Sequence, residues 1–148
     1  GRVRMSLPGY FLDTNVLVTA FLIEESDGRR VLELGRRGKA RLLTSDYVLR
    51  ELRFALVRKF QVPAGIAESF ILDEIAPSLL ILRKPSRQEV RGFRLKISDR
   101  SDIPILIPCV KHGLTLVTLD SRVVKSAREF IKVMSPREGI KAILRSTT

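Results

Sequence analysis

An alternation of short apolar runs and helix-period segments restricts the possible folds of this chain more than any other feature. Between the runs, apolar residues recur every three or four positions, which is the spacing of one helix face. Strands that alternate with helices form a parallel sheet with helices on both sides. The sequence therefore predicts an α/β fold, a three-layer α/β/α sandwich around a central parallel sheet of about five short strands. The apolar runs are Gly9 to Leu12, Leu42 to Thr44, Ser78 to Leu82, Leu114 to Thr118 and Ile131 to Met134.

The length and composition favour one folded domain over residues 1–148, with 45% hydrophobic and 29% charged residues. Gly1 to Arg4 precede Met5 and are interpreted as a remnant of expression or as part of a longer N-terminus. The sequence has neither a run of 18 apolar residues nor the pattern of a signal peptide, which predicts a cytoplasmic protein without membrane contact. Cys109 is the only cysteine, which excludes an internal disulfide and a cysteine metal cage.

A helix is predicted after the second strand, because Ser45 or Asp46 can cap it and an apolar stripe follows. Glu51 lies on the flank of this stripe, where an ordinary surface glutamate is not expected. A later helix is predicted to begin at Asp102, with Pro104 in its first turn and Pro108 inside it. The apolar stripe of the helix after the second strand consists of Val48, Leu52, Ala55, Leu56 and Lys59 to Phe60.

Four acidic residues occupy positions that a parallel sheet brings towards one edge. Asp13 and Asp120 follow apolar strands, and ligands of such sheets bind at the carboxyl ends of the strands. Asp102 and Glu51 reach the same edge if their helices lean over it. Four neighbouring carboxylates repel one another unless a cation neutralises them. Oxygen ligands favour Mg²⁺ or Mn²⁺, because zinc prefers histidine and cysteine, and His112 and Cys109 are the only such residues.

A carboxylate site of this kind is suited to phosphodiester hydrolysis, because bound divalent ions activate water and stabilise charge on phosphoryl oxygens. The formal charge of +11 attracts polyanions, which agrees with a nucleic-acid substrate. Arg50, Arg53, Arg100 and Arg122 are candidate contacts to that substrate. Tyr10 and Tyr47 are too few for a base-stacking platform, so contacts to phosphates are expected.

These motifs resemble those of the PIN-domain nuclease family, which includes VapC-like toxins of toxin–antitoxin pairs. The resemblance covers most of the chain and implies that Asp13, Glu51, Asp102 and Asp120 are catalytic and hold Mg²⁺ or Mn²⁺. Asp99 is a substitute for Asp102 or an additional ligand. The motifs are Phe11 to Leu17, Ser45 to Leu52, and Asp102 followed by Leu116 to Asp120.

The same resemblance implies roles for neighbouring residues and for partners. Thr14 or Asn15 orients the first acid or its water, and Thr118 and Ser121 support the site beside Asp120. The implied function is a metal-dependent endoribonuclease acting on single-stranded RNA, with an antitoxin as a possible partner. A homodimer is also implied, and the apolar helices after Pro63 can supply its interface.

Other interpretations of the same residues remain open at this stage. A PIN-like fold can bind RNA or serve as a scaffold in RNA processing without cutting. An aspartyl phosphatase also begins with an apolar strand ending in aspartate, but Asn15 stands where that class has its second acid. Cys109 and His112 lie three apart and can form a dyad, although both fit a packed helix better. Taken alone, the three aspartates can each cap a helix, and Glu51 can pair with Arg50 or Arg53 on the surface.

Overall fold

Five parallel strands form the centre of the computed structural model, which describes residues 7–94 and 102–146. Their order across the sheet is β3-β2-β1-β4-β5, and every neighbouring pair is parallel. The predicted parallel sheet of about five short strands is confirmed. The strands are β1 (Gly9–Leu12), β2 (Arg41–Ser45), β3 (Leu80–Leu82), β4 (Thr115–Val117) and β5 (Val133–Met134).

Eight α-helices occur in the described ranges and complete an α/β/α sandwich, as the sequence predicted. No helix in these ranges is long and apolar enough to cross a membrane. Two of the helices continue into π-helical turns, Ala55–Lys59 after α3 and Ile71–Ile75 after α4. The helices are α1 (Thr14–Leu22), α2 (Asp27–Arg36), α3 (Asp46–Phe54), α4 (Ala64–Phe70), α5 (Arg87–Arg94), α6 (Ile103–His112), α7 (Ser121–Ala127) and α8 (Pro136–Ser146).

The order in which strands are added to the sheet reverses at the boundary between β1 and β4. From β1 the next strands are added on one side, and β4 and β5 then occupy the other side. Leu12 pairs with Val117 where these two strands end, and the Asp13 N–H donates to the Val117 carbonyl at 3.0 Å. The residues that follow β1 and β4 therefore lie next to each other. This is the position at which open parallel sheets bind their ligands.

Strand β1 is completely buried, as expected for the central strand of a sheet covered on both faces. Helices α1 and α2 pack against each other and approach most closely at Gly28. A Cβ atom at Gly28 would lie 2.6 Å from the Val16 carbonyl oxygen, so this crossing requires glycine. Helix α1 is thus fixed beneath Asp13 by the core on one side and by α2 on the other.

The end of α3 differs from the continuous apolar stripe that the sequence predicted. The Phe60 N–H donates to the Ala55 carbonyl at 3.0 Å, which is the i to i+5 bond of a π turn. Gln61 then adopts a left-handed conformation with φ 56°, and the Val62 N–H donates to the Leu56 carbonyl at 2.8 Å. Leu56 is buried, but Lys59 and Phe60 are exposed, so their assignment to the buried stripe was wrong. The wider turn rotates both residues out of the core.

Helix α6 contains a proline and nevertheless continues to His112, which confirms the predicted helix. Pro108 has no N–H to donate to the carbonyl of Pro104, a loss that costs about 3 kcal/mol inside a helix. Burial of Ile103, Leu106 and Ile107 against the core offsets this cost. The helix ends at Gly113, which has φ 63°. Asp102 is therefore held at the start of a well-packed helix.

Candidate active site

An open cleft of about 870 Å³ lies where β1 and β4 end. The four acids singled out by the sequence all line it, although they come from four separate segments of the chain. We call Asp13, Glu51, Asp102 and Asp120 the acid end of the cleft. Asp99, the predicted substitute for Asp102, lies outside the residues that the structure describes.

Asp13 is the most enclosed of these acids, with only 4% of its surface exposed. The Thr14 N–H donates to its Oδ1 at 2.7 Å, so Asp13 caps α1. The Thr118 hydroxyl donates to its Oδ2 at 2.7 Å, and the Asn15 amide lies 3.4 Å from the same oxygen. Burial raises the pKa of Asp13, and the carboxylates of Glu51 and Asp120 act in the same direction. The hydrogen bonds from Thr118 and Thr14 oppose that rise.

Thr118 joins the ends of β1 and β4 through a single hydroxyl group. It accepts from the Asn15 amide at 3.2 Å and from the Asp120 N–H at 3.1 Å. A hydroxyl has one hydrogen and two lone pairs, so these two bonds leave its hydrogen for Asp13. Asn15 also accepts from the Leu119 N–H at 3.0 Å. The position of Asp120 relative to Asp13 is thereby fixed by hydrogen bonds.

Glu51, which the sequence placed on the flank of the apolar stripe, reaches the cleft from α3 and is exposed to solvent. The Thr14 hydroxyl donates to its Oε1 at 3.2 Å. Tyr47 lies one helical turn before Glu51 and lines the same cleft. Burial raises the pKa of Tyr47, and the charges of Glu51 and Asp102 add to the rise. Thr14 therefore orients Glu51 with its side chain and Asp13 with its backbone.

Asp102 and Asp120 enter the cleft from the starts of two helices. Asp102 is 8% exposed, and its carboxylate makes no capping bond to α6. The Ser126 hydroxyl on α7 lies 3.4 Å from its Oδ2. Asp120 caps α7 by accepting from the Arg122 N–H at 2.9 Å, and the Arg122 guanidinium lies 3.5 Å from its other oxygen. Capping explains part of the role of Asp120 but not the position of Asp102.

The carboxylates of the acid end influence neighbouring titratable groups, but they are not grouped as tightly as the ligands of a bound metal ion. The charges of Glu51 and Asp120 raise the pKa of Asp13, and those of Glu51 and Asp102 raise the pKa of Tyr47, so Glu51 acts on both groups. Within residues 7–94 and 102–146, no three Asp, Glu, His or Cys side chains are grouped closely enough to hold a metal ion. The acids instead face a common open space. Such an oxygen-only set suits a hard divalent cation that keeps several waters.

Other predicted residues are distributed unevenly around the cleft. Arg50 lines it, whereas Arg53 does not and instead pairs with Glu68 at 2.9 and 3.0 Å. Arg122 is highly exposed beside Asp120, and Arg100 lies outside the described residues. Ser121 begins α7 but does not line the cleft.

The structure does not support a cysteine–histidine dyad. Cys109 is buried in the core, and burial raises the pKa of its thiol, so the thiolate needed for nucleophilic attack is disfavoured. His112 is exposed at the end of α6. Neither residue lines the cleft that contains the acids.

Several residues of the cleft were missed by the sequence interpretation. Tyr47 and Phe54 lie four before and three after Glu51, a helical spacing that places them on its face. That spacing was the available signal. Lys59 and Phe60 had no comparable signal, because their positions depend on the π turn. Ser126, outside the cleft lining, was also missed as the partner of Asp102.

Similarity to known proteins agrees with this architecture. A family model described as PIN domain matches residues 10–122. No curated protein matches the chain. Among solved structures, VapBC2 from Rickettsia felis, bound to a DNA fragment from its promoter, has a similar chain with TM-score 0.66 and 20% identity. The similarity covers 86% of this chain and 98% of that one.

Two further structures show the same fold. FitAcB from Neisseria gonorrhoeae has a chain with TM-score 0.60 and 21% identity, covering 86% of this chain and 98% of that one. FitAB bound to an IR36 DNA fragment has a chain with TM-score 0.59 and 19% identity. There the coverage is 86% of this chain and 94% of the other.

Proposed function

The chain belongs to the PIN domain family, and from this premise we propose that it is a metal-dependent endoribonuclease that cuts single-stranded RNA. The observation that carries the proposal is the convergence of Asp13, Glu51, Asp102 and Asp120 on one open cleft. Nothing in the packing of the core requires four acids there. The strongly basic charge of the chain favours a polyanionic substrate for the same cleft.

The donor set of the acid end fits Mg²⁺ or Mn²⁺. The raised pKa of Asp13, caused first by burial, indicates a carboxylate that lacks sufficient positive charge nearby. A divalent cation bound by Asp13, Asp102, Asp120 and Glu51 would supply Lewis acidity for attack by water on the phosphodiester. The carboxylates fit that ion because oxygen is the ligand atom that it prefers.

The chain's own residues position the reactants around this chemistry. Thr118 and Asn15 hold Asp13 in one orientation, and Thr14 holds Glu51. Glu51 is exposed within the cleft and is the acid best placed to accept a proton from solvent water. Arg50 and Lys59 line the same cleft and can contact phosphates of the RNA. Such contacts carry no sequence information and weaken with salt.

We further propose that the protein is a cytoplasmic toxin of a toxin–antitoxin pair and acts as one domain over residues 1–148. Resemblance to VapC-like toxins and similarity to the VapBC2 and FitAB structures support an antitoxin partner. Ile66 and Leu72, in the helical segment after Pro63, are exposed and apolar, which supports a homodimer through that segment.

The proposal is tested by incubating the protein with labelled single-stranded RNA and Mn²⁺. We expect cleavage by the wild type, loss in EDTA, and a loss of about 1000-fold or more in Asp13→Asn. The matched control is Asp46→Asn, because Asp46 also follows a strand at this sheet edge but is exposed and does not line the cleft. Cleavage that survives both EDTA and Asp13→Asn would contradict the proposal.

A second candidate function is RNA binding or scaffolding without cleavage. Asp13 and Asp120 both accept backbone N–H bonds as helix caps, which gives each a structural role independent of metal. RNA binding by the wild type without cleavage, across several RNAs and with both Mg²⁺ and Mn²⁺, would favour this candidate.

A further inference from the structure

The cleft extends from the acid end to two exposed aromatic side chains. Phe54 and Phe60 both line it and have 68% and 44% of their surfaces exposed. Lys59 lines the same part, and its ammonium lies 5.7 Å from the centre of the Phe60 ring. We call Phe54, Lys59 and Phe60 the aromatic rim. Contiguous exposed apolar surface that is rimmed by polar residues often marks a binding site.

Helix α3 connects the aromatic rim to the acid end through one continuous face. Tyr47, Arg50, Glu51 and Phe54 follow the spacing i, i+3, i+4 and i+7, so they project to the same side. The π turn extends this face, because Lys59 and Phe60 line the cleft and Arg58 does not. An RNA strand that lies along this face next to Glu51 therefore contacts both basic side chains and aromatic rings.

The chemistry of the rim selects among possible occupants. The rings of Phe54 and Phe60 are apolar, but Arg50 and Lys59 place positive charge beside them. Unpaired nucleotides match this pattern, because each carries a flat base beside a negative phosphate. A base pair within a duplex keeps both faces of its base stacked and cannot use the rings. The Lys59 ammonium at the exposed Phe60 ring is held weakly and can move to a phosphate.

We propose that Phe54 and Phe60 form a base-stacking subsite for an unpaired nucleotide of the RNA, with Arg50 and Lys59 contacting its phosphates. The inference rests on the proposed ribonuclease function and gives a reason for a preference for single strands. The proposed subsite uses two phenylalanines, whereas the sequence alone indicated only Tyr10 and Tyr47, which are too few for a stacking platform. Tyr10 is buried, and Tyr47 is half-buried at the acid end of the cleft.

The chain contains no tryptophan, so one introduced indole reports on the rim alone. We would titrate Phe54→Trp with a single-stranded oligouridylate of about twelve nucleotides, a length within the usual site size. EDTA prevents cleavage during the titration. We expect the oligouridylate to quench the fluorescence, and an abasic oligomer with the same number of phosphates to leave it unchanged. The matched control is Phe130→Trp, because Phe130 is 36% exposed but does not line the cleft.

A second variant separates stacking from general apolar contact. Phe54→Leu retains an apolar side chain but has no π face, so we expect about tenfold weaker oligonucleotide binding. Wild-type affinity in Phe54→Leu, or no quenching at position 54 by any single strand, would overturn the proposal. Fluorescence at position 54 that changes with protein concentration rather than with oligonucleotide would show that a second copy covers the rim, and would also overturn it.

The two proposals fail in distinguishable ways. Cleavage by the wild type together with absent quenching would overturn the stacking subsite and leave the ribonuclease function intact. Quenching at position 54 without cleavage of any RNA in Mn²⁺ would support the subsite and contradict the ribonuclease function.

Discussion

The two ends of the cleft are built by different parts of the fold. At the acid end, Asp13 and Asp120 follow neighbouring strands and are joined through the Thr118 hydroxyl, so the sheet fixes their separation. The aromatic rim is carried by one helix and its π turn and is exposed to solvent. In the proposed function, the chemistry that needs fixed geometry lies at the rigid sheet edge, and the contact with the substrate base lies at a helix end.

After Asp13→Asn, replacing Asp102 is expected to lower the cleavage rate the most, because it also removes a charge from the acid end. Asp102→Asn should lower the rate of RNA cleavage by about 100-fold or more. Asp99→Asn is the matched comparison and should change the rate by less than about threefold, within the range of a peripheral contact. Single-turnover cleavage of labelled RNA measures both rates. A larger loss in Asp99→Asn would make Asp99 the third acid.

Thr118→Val tests whether the hydroxyl that links β1 and β4 positions the acids. Valine has nearly the same shape but cannot bond to Asp13, Asn15 or the Asp120 N–H. We expect cleavage to fall about 10- to 100-fold, the usual effect of losing a group that orients metal ligands. The free energy of unfolding should fall by about 1–3 kcal/mol, because buried polar groups lose their partner.

Urea unfolding and single-turnover cleavage measure these two effects of Thr118→Val. Thr115→Val, within β4, is the control and should leave both quantities nearly unchanged. Equal losses in the two variants would show that the effect belongs to the strand and not to the hydroxyl.

Asp13→Asn should also change how stability depends on pH. Burial raises the folded-state pKa of Asp13 above its ordinary value of 3.8. A raised folded pKa means that the stabilising contribution is complete below the ordinary pKa and is lost as the pH rises through the folded value. At pH 7 without metal, the ionised group therefore destabilises the fold.

We accordingly expect Asp13→Asn in EDTA to be more stable than the wild type at pH 7, by about 1 kcal/mol. The difference should shrink as the pH falls towards 4, and Mn²⁺ should stabilise the wild type more than the variant. Thermal unfolding followed by circular dichroism measures these differences. A variant that is less stable than the wild type at pH 7 in EDTA would contradict the account of Asp13.

The smallest effect is expected at Gln61, which ends the π turn in a left-handed conformation with φ 56°. Gln61→Gly should be neutral or raise the free energy of unfolding by up to about 1 kcal/mol, because glycine accepts this φ without strain. Gln61→Val should lower it by about 1–2 kcal/mol, because a β-branched residue does not. Chemical denaturation measures both free energies of unfolding. The cleavage rate of Gln61→Gly tests whether the aromatic rim tolerates a more flexible residue directly after the π turn.

The acid end could be predicted from the sequence much better than the rim. Asp13 and Asp120 stand directly after apolar runs, and parallel strands bring their carboxyl ends to one edge whatever the remaining details are. Glu51 was detected by its place on a helix. Ser126 reaches Asp102 from a different helix, which spacing along one helix does not reveal.

The rim was unpredictable for a different physical reason. Lys59 and Phe60 continue the helical spacing of the buried stripe, so local periodicity assigns them to the core. The π turn that exposes them is closed by hydrogen bonds to Ala55 and Leu56, and Leu56 is held in the core by tertiary packing. One extra residue in a turn cannot be recognised from the pattern of apolar residues alone.

The double role of the strand-end acids has a consequence for how such a protein can change over generations. Asp13 and Asp120 accept backbone N–H bonds at 2.7 and 2.9 Å as caps of α1 and α7. Asparagine and serine cap helices about as well as aspartate, so either replacement removes a charge but keeps the helix start. If the proposed function is correct, descendants of such a chain can lose catalysis by a single substitution, remain folded, and keep the surface proposed to bind nucleic acid.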